Sequence, residues 1–168
     1  MTKRELHVLV DTREPKKGKR GHYSFSAFPE VRRERRYLDV GDFSLGGLAP
    51  DGLPWSDSIT IERKTMSDLL GSISKNRNRF RRMWERSYAH THRYLLIEGS
   101  WDDLVAGRYR SNMSPHSADA TLHMWAGRYE FEIVWVKGPE EGQKEVCRIL
   151  RKFRRETETM YGEVEDAT

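Results

Sequence analysis

The sequence predicts an α/β domain: a central mixed sheet flanked by helices. Two observations lead there. Extended runs come first, at "LHVLVD" (Leu6–Asp11) and "ERRYLDVGDFSL" (Glu34–Leu45). From Ile59 onward, strand-like and helix-like segments alternate. Early strands followed by strand–helix alternation give a sheet covered by helices. The 168 residues suffice for one hydrophobic core.

Taken in order, Leu6–Asp11 is an apolar run closed by an acid, the pattern of a buried strand. "KKGKRG" after it is a basic loop. "ERRYLDVGDFSLGG" predicts two strands in a hairpin-like path, broken near Gly41 and closed by Gly46 and Gly47. "LAPDGLPWSDS" is a turn-rich loop. "SITIERK" is a strand, with Ile59 and Ile61 on one side. Leu69, Ile73, Phe80, Trp84 and Tyr88 fall at helical spacing, and Gly71, Ser72 and Ser74 mark a break between two helices. "RYLLIEG" reads as a strand buried on both faces. Ser100 and Asp103 resemble a capping box over "WDDLVAG". Ser114 and Pro115 suit an N-cap and first helical position, and Ala118, Leu122, Trp125 and Tyr129 form the stripe that follows. "FEIVWVKG" is the last strand. The last helix is expected from about Glu140 to about Thr157, with glutamates in its first turn and arginines in its last. This divides the chain into one domain over residues 1–157 and a polar, acidic, frayed tail over 158–168.

Lys and Arg number 30 against 26 Asp and Glu, a formal net charge of +4, which is only mildly basic. The single cysteine, Cys147, excludes an intramolecular disulfide and a cysteine-based zinc site, and it reads as a buried small residue. The apolar run near the start is too short for a signal peptide or a membrane span. The expected compartment is the cytoplasm, or the nucleus in a eukaryote, with no membrane partner.

The end of "SITIERK" carries the chemistry. Residues i and i+2 of a strand share a face, so Glu62 and Lys64 stand together and Arg63 points away. The pair is either a surface ion pair, or a metal ligand beside a charged helper. Acids recur at strand ends, at Asp11, Asp42 and Glu62. Converging there, they would offer hard oxygen ligands to magnesium or manganese. Asp11 fits either a direct ligand or a residue behind the ligands. Lys64 would orient or deprotonate a water, or steady charge developing on phosphorus. Gly41 would allow a close approach beside Asp42. Downstream, "KNRNRFRRMWER" (Lys75–Arg86) has six basic residues and one acid. Lys75, Arg79, Arg82 and Arg86 fall on one helical face, a candidate phosphate-binding stripe to which Arg77 adds a further cation. "KKGKR" and "VRRERR" fit either a DNA surface or charged loops and a protected edge. His90, His92, His116 and His123 are assigned structural or minor contact roles.

Three blocks, "VDTREP" (Val10–Pro15), "LDVGDFSL" (Leu38–Leu45) and "IERKTMSDLLGSI" (Ile61–Ile73), resemble the XPF-type structure-specific nuclease family in order and spacing. "YLLIEG" (Tyr94–Gly99) fits the strand that follows in that family. The resemblance implies a restriction-endonuclease-like (PD-(D/E)XK) fold and metal-dependent hydrolysis of DNA phosphodiesters, with Mg2+ or Mn2+ and no small-molecule cofactor. It implies Asp42 and Glu62 as metal ligands and Lys64 as the catalytic lysine. Arg63 and Asp68 complete the signature, and Asp11 and Glu14 belong to its first block. Arg63 is expected either at DNA or in a pair with Asp68 or Glu14. Asp68 is expected to serve its helix start, and Glu14 either a second metal or a loop salt bridge. Larger members add a tandem helix-hairpin-helix module or a helicase, for which this chain has no room, so a stand-alone viral or bacterial nuclease is expected. Family pairing also suggests a homodimer, with contacts near Trp125 or Phe153. The alternatives are a catalytically silent DNA-binding or dimer-partner module, against which the retained acids count, and a nuclease acting on RNA.

Overall fold

The structure, a computed structural model, describes residues 4–166, with side chains as far as residue 162. Six strands form one sheet: β1 (Leu6–Val10), β2 (Val31–Arg35), β3 (Phe43–Leu45), β4 (Ile59–Thr65), β5 (His92–Glu98) and β6 (Glu132–Val136). Their order is β2-β1-β3-β4-β5-β6. β1 pairs with β2 in parallel and with β3 antiparallel; β3 is antiparallel to β4, and β4, β5 and β6 run parallel. The sheet is therefore mixed, as predicted.

The hairpin-like path is corrected. β2 and β3 do not pair with each other; β1 lies between them. Leu6, Val8 and Leu9 are fully buried, so both edges of β1 need backbone partners in the interior. The long loop before β2 supplies one, because it packs Tyr23 and Phe25 against Phe43 and returns the chain to the outer edge of β1.

Helices α1 (Met66–Ile73), α2 (Arg77–Arg86), α3 (Trp101–Val105) and α4 (Pro115–Tyr129) cover one face, where Leu69, Ile73, Trp84, Leu122 and Trp125 pack with Leu95 and Ile97. Helix α5 (Pro139–Asp166) covers the other, where Val146, Leu150 and Phe153 pack with Val8, Phe43, Ile61 and Leu96. Each fully buried aliphatic or aromatic side chain contributes roughly 1.5–3 kcal/mol. Two such cores let a charged strand end sit between them.

The expected break falls between α1 and α2, and three expected or neighbouring caps are present. Thr65 accepts from the Asp68 N–H (3.2 Å), Ser100 from Asp103 (3.0 Å) and Ser114 from Ser117 (3.2 Å). Helix α5 does not stop near Thr157. It continues to Asp166, tied to the body by Glu158 with Arg4 (2.8 Å) and by the Tyr161 hydroxyl donating to Asp51 (2.7 Å). Residues 167–168 of the predicted tail lie outside the described residues. Gly142 in α5 is pressed against Tyr23; a Cβ there would stand 1.8 Å from the tyrosine oxygen.

The contacts expected for a homodimer are also corrected. Trp125 is 2% exposed and Phe153 4%, each inside a core of this chain. No helix among the described residues is long and apolar enough to cross a membrane.

Candidate active site

The site begins with the seam between β3 and β4. Gly41 takes a left-handed φ of +80°, and a Cβ there would stand 2.0 Å from the Thr60 hydroxyl, so glycine is required. That hydroxyl donates to the Val40 carbonyl (3.0 Å), and the Asp42 N–H donates to the Ile61 carbonyl (2.8 Å). Asp42 is thus stitched against β4. Its carboxylate accepts from the Arg63 backbone N–H at 2.7 Å, which brings it beside Glu62. The register pairs Glu62 with Leu95 and Lys64 with Ile97, placing both on the α1/α2 side. Lys64 Nζ lies 2.9 Å from Glu62 and 5.4 Å from the Phe80 ring centre.

The electrostatics are unbalanced. Burial, then the Glu62 and Glu14 carboxylates, push Asp42 well above the usual carboxylate range. Burial also raises Glu14, which Glu62 pushes further up against the pull of Arg63 and a hydrogen bond with Asp42. Burial alone would lower Lys64, but Glu62 outweighs it and holds the lysine above its ordinary range. Asp42 and Glu62, side by side with Glu14 near, offer hard oxygen atoms to a divalent cation. Among the described residues, no three acidic, histidine or cysteine side chains converge as a finished cage. An ion held by Asp42 and Glu62 would therefore keep much of its coordination as water, the habit of magnesium. The residues present fit such an ion.

The same cavity, about 1270 Å³, is lined by Asp42, Glu62, Lys64 and Asp68 and by Lys75, Arg79, Arg82 and Arg86. The predicted stripe and the predicted reaction centre thus share one cleft. Arg110 and Asn112, from the loop before α4, line it as well.

A family model described as the ERCC4 domain matches residues 10–149. The chain belongs to the ERCC4 domain family. Among solved structures, it is similar to "XPF from Aeropyrum pernix" at 23% identity and a TM-score of 0.66, covering 89% of this chain and 65% of that one. It is also similar to "XPF from Aeropyrum pernix, complex with DNA" at 22% identity and a TM-score of 0.62, covering 88% and 66%. The chain spans about two thirds of the length of these relatives. A search of curated proteins finds no match. The fold of this ERCC4 domain is the restriction-endonuclease-like one that the motifs implied.

Within this ERCC4 domain, the geometry favours one of the two expected roles for Asp11 and for Arg63, and changes the expectation for Arg77. Asp11, expected among the metal ligands, is fully buried and away from the cleft lining. One of its oxygens accepts from the Arg13 N–H (2.8 Å) and Nε (2.6 Å), the other from the Leu38 N–H (2.8 Å). Burial would raise Asp11, but these hydrogen bonds outweigh it and hold the carboxyl below its usual range. Asp11 braces its neighbour, since its backbone N–H donates to the Asp42 carbonyl at 2.8 Å. Arg63 does not face the cleft. It pairs with Glu14 (3.2 Å, not aligned as a hydrogen bond) and Glu98 (3.1 Å) and lies over the Tyr23 ring. Arg77 turns from the stripe onto the Trp125 ring.

The Asp68 backbone N–H donates to the Thr65 cap, as any residue there would, and the Asp68 charge also reaches Lys64. Glu98 and Tyr23 were missed. The Tyr23 hydroxyl donates to Glu98 at 2.8 Å, across 75 residues of sequence. An acid ending "YLLIE", one strand over from Glu62 in a parallel pair, was the available signal.

Proposed function

We propose that this ERCC4 domain is a divalent-metal-dependent endonuclease that hydrolyses DNA phosphodiesters, with preference for forked, flapped or branched DNA. One observation carries the reading: Asp42, Glu62 and Lys64 line the same cleft as Lys75, Arg79, Arg82 and Arg86. A cation row beside a metal-ligand set matches a phosphate backbone led to a hydrolytic centre. Asp42 and Glu62 would hold the ion. When bound, magnesium or manganese supplies Lewis acidity to a phosphoryl oxygen and acidifies a water. Lys64, 2.9 Å from Glu62, is placed to orient the water and to steady the oxygens of the reacting phosphate. The stripe holds the backbone without reading bases.

The test is a cleavage assay on forked, flapped, single-stranded and duplex DNA, with magnesium or manganese, against Glu62→Gln. The expected result is metal-dependent cutting of at least one substrate, lost in the variant. A folded protein that binds DNA yet cuts none of them with either metal would leave the silent binding module as the reading.

A further inference from the structure

Helix α5 carries a second cationic stripe that the cutting reaction does not use. Residues 144–155 hold six basic residues and one acid, the same balance as residues 75–86 in the cleft. The spacing repeats too. Lys144, Arg148, Arg151 and Arg155 stand at i, i+4, i+7 and i+11, as do Lys75, Arg79, Arg82 and Arg86. The α5 row lines a groove of about 710 Å³ together with Arg4 and Arg154. Because α5 packs on the sheet face opposite α1 and α2, groove and cleft lie on opposite sides of the sheet.

A solvated helix face usually pairs its charges internally, and part of this one does: Arg148 pairs with Glu145, and Arg151 with Glu30. Lys152 also pairs with Glu156 (3.8 Å), and Arg4 with Glu158 (2.8 Å), but the two ends of the row do not pair. Lys144 and Arg155 are exposed, and among the described residues neither has a carboxylate within ion-pair distance. Arg154 donates to the Glu5 carbonyl at 2.8 Å. Burial, then Arg4, lower its basicity against the pull of Glu158, with Arg151 adding to the lowering; seven cations and two carboxylates, Glu145 and Glu158, line the groove. Such a concentration of one sign is a seat for a polyanion. From Lys144 to Arg155 the row runs about 16 Å at the helical rise. That matches roughly five nucleotides of one duplex strand.

We propose that the α5 groove is a second DNA-backbone site, which holds another arm of the same substrate while the cleft holds the arm being cut. The identity of the polyanion rests on the nuclease reading above. A chain gripping backbone on both sides of its sheet selects branched over linear DNA by geometry, with no base contacts.

The test uses the full chain without divalent metal, so that nothing is cut. Lys144→Glu with Arg155→Glu is compared with Arg79→Ala with Arg82→Ala. Fluorescence anisotropy over a salt series follows a three-armed fork and a linear duplex of equal nucleotide number. The reversal in α5 should weaken fork binding at least tenfold and lower the slope of log affinity against log salt by about two. Linear duplex should change less than threefold, whereas the cleft variant should weaken both substrates. An unchanged fork affinity and slope in the α5 variant, with the cleft variant still impaired, would remove the second site and leave the nuclease reading intact. Equal weakening of fork and duplex would overturn the second-arm assignment. The converse pattern, an unimpaired cleft variant beside a weakened α5 variant, would keep the groove and remove the proposed path over the cleft. Phosphatidylserine vesicles run in parallel guard against a lipid surface; loss of vesicle binding with fork binding unchanged would overturn the proposal.

Discussion

The two sides of β4 end in opposite electrostatic states. On the α5 side, Arg63 is enclosed by Glu14, Glu98 and the Tyr23 ring, with about a tenth of its side chain exposed. On the α1/α2 side, Glu62 and Lys64 open into a cleft in which burial and the neighbouring Glu62 raise both Asp42 and Glu14. Adjacent residues of one strand thus have different tasks. The closed side fixes the strand end, and the open side sets a knot of carboxylates beside a row of cations. Glu14 joins the two, since it pairs with Arg63 and its charge also raises Asp42. The lesson is that a charged signature at a strand end is half machinery and half scaffold, and the pleat assigns the halves.

The sharpest way to break this contrast is at Lys64. Lys64→Ala should fold normally and lose cutting by roughly a hundredfold to ten-thousandfold, the usual range for a catalytic proton-handling or charge-positioning group. Single-turnover cleavage with manganese measures it; near wild-type turnover would make Lys64 only the partner of Glu62.

Arg63 should behave in the opposite way. Arg63→Ala strands two buried carboxylates and should cost about 3–5 kcal/mol of stability. Urea unfolding reads that loss directly. A stable variant with impaired DNA binding would instead move Arg63 to the substrate.

Within the cleft, Arg79→Ala with Arg82→Ala should weaken DNA about equally for unrelated sequences and lower the salt slope by about two. Manganese affinity, followed by calorimetry, should not move. A wild-type salt slope would make the stripe an ordinary solvated face.

The smallest effect concerns Asp42. Its folded pKa lies above the unfolded value, so its stabilising contribution is complete at low pH and disappears as pH rises through the folded value. At pH 8 without metal, Asp42→Asn should therefore melt higher than wild type, by about 2–4 °C if the relief is ~1 kcal/mol. The gap should close as pH falls toward about 4, the ordinary aspartate range. Manganese should raise the melting temperature of wild type and not of the variant. A variant that melts lower at pH 8, or responds to manganese like wild type, would show that Asp42 is neither strained nor a ligand.

Much of this was legible in the sequence because it is local. Period-two alternation alone places Glu62 and Lys64 together, and helical spacing alone aligns Lys75, Arg79, Arg82 and Arg86. Caps at Ser100 and Ser114 are read from neighbouring residues. The rest depends on long-range packing. β1 sits between β2 and β3 only because the loop carrying Tyr23 and Phe25 folds under the sheet, and no pattern in "ERRYLDVGDFSLGG" encodes that. Asp11 and Asp42 look alike as acids at strand ends. Their roles diverge because Arg13 and Leu38 satisfy one, while nearby carboxylates crowd the other. Arg77 left the stripe because a tryptophan on another helix lay within reach.

Gly142 places part of the site's control outside the site. The missing side chain there lets Tyr23 reach Glu98, and from Glu98 the contacts pass through Arg63 and Glu14 to Asp42. To an engineer, position 142 is a remote dial: enlarging it would detune the acids of the cleft from the far layer of the molecule. A mutant library drawn around the cleft alone would leave that dial untouched. In a lineage, substitutions at 142 and 23 should travel together, an inheritance imposed by the space between one helix and one phenol.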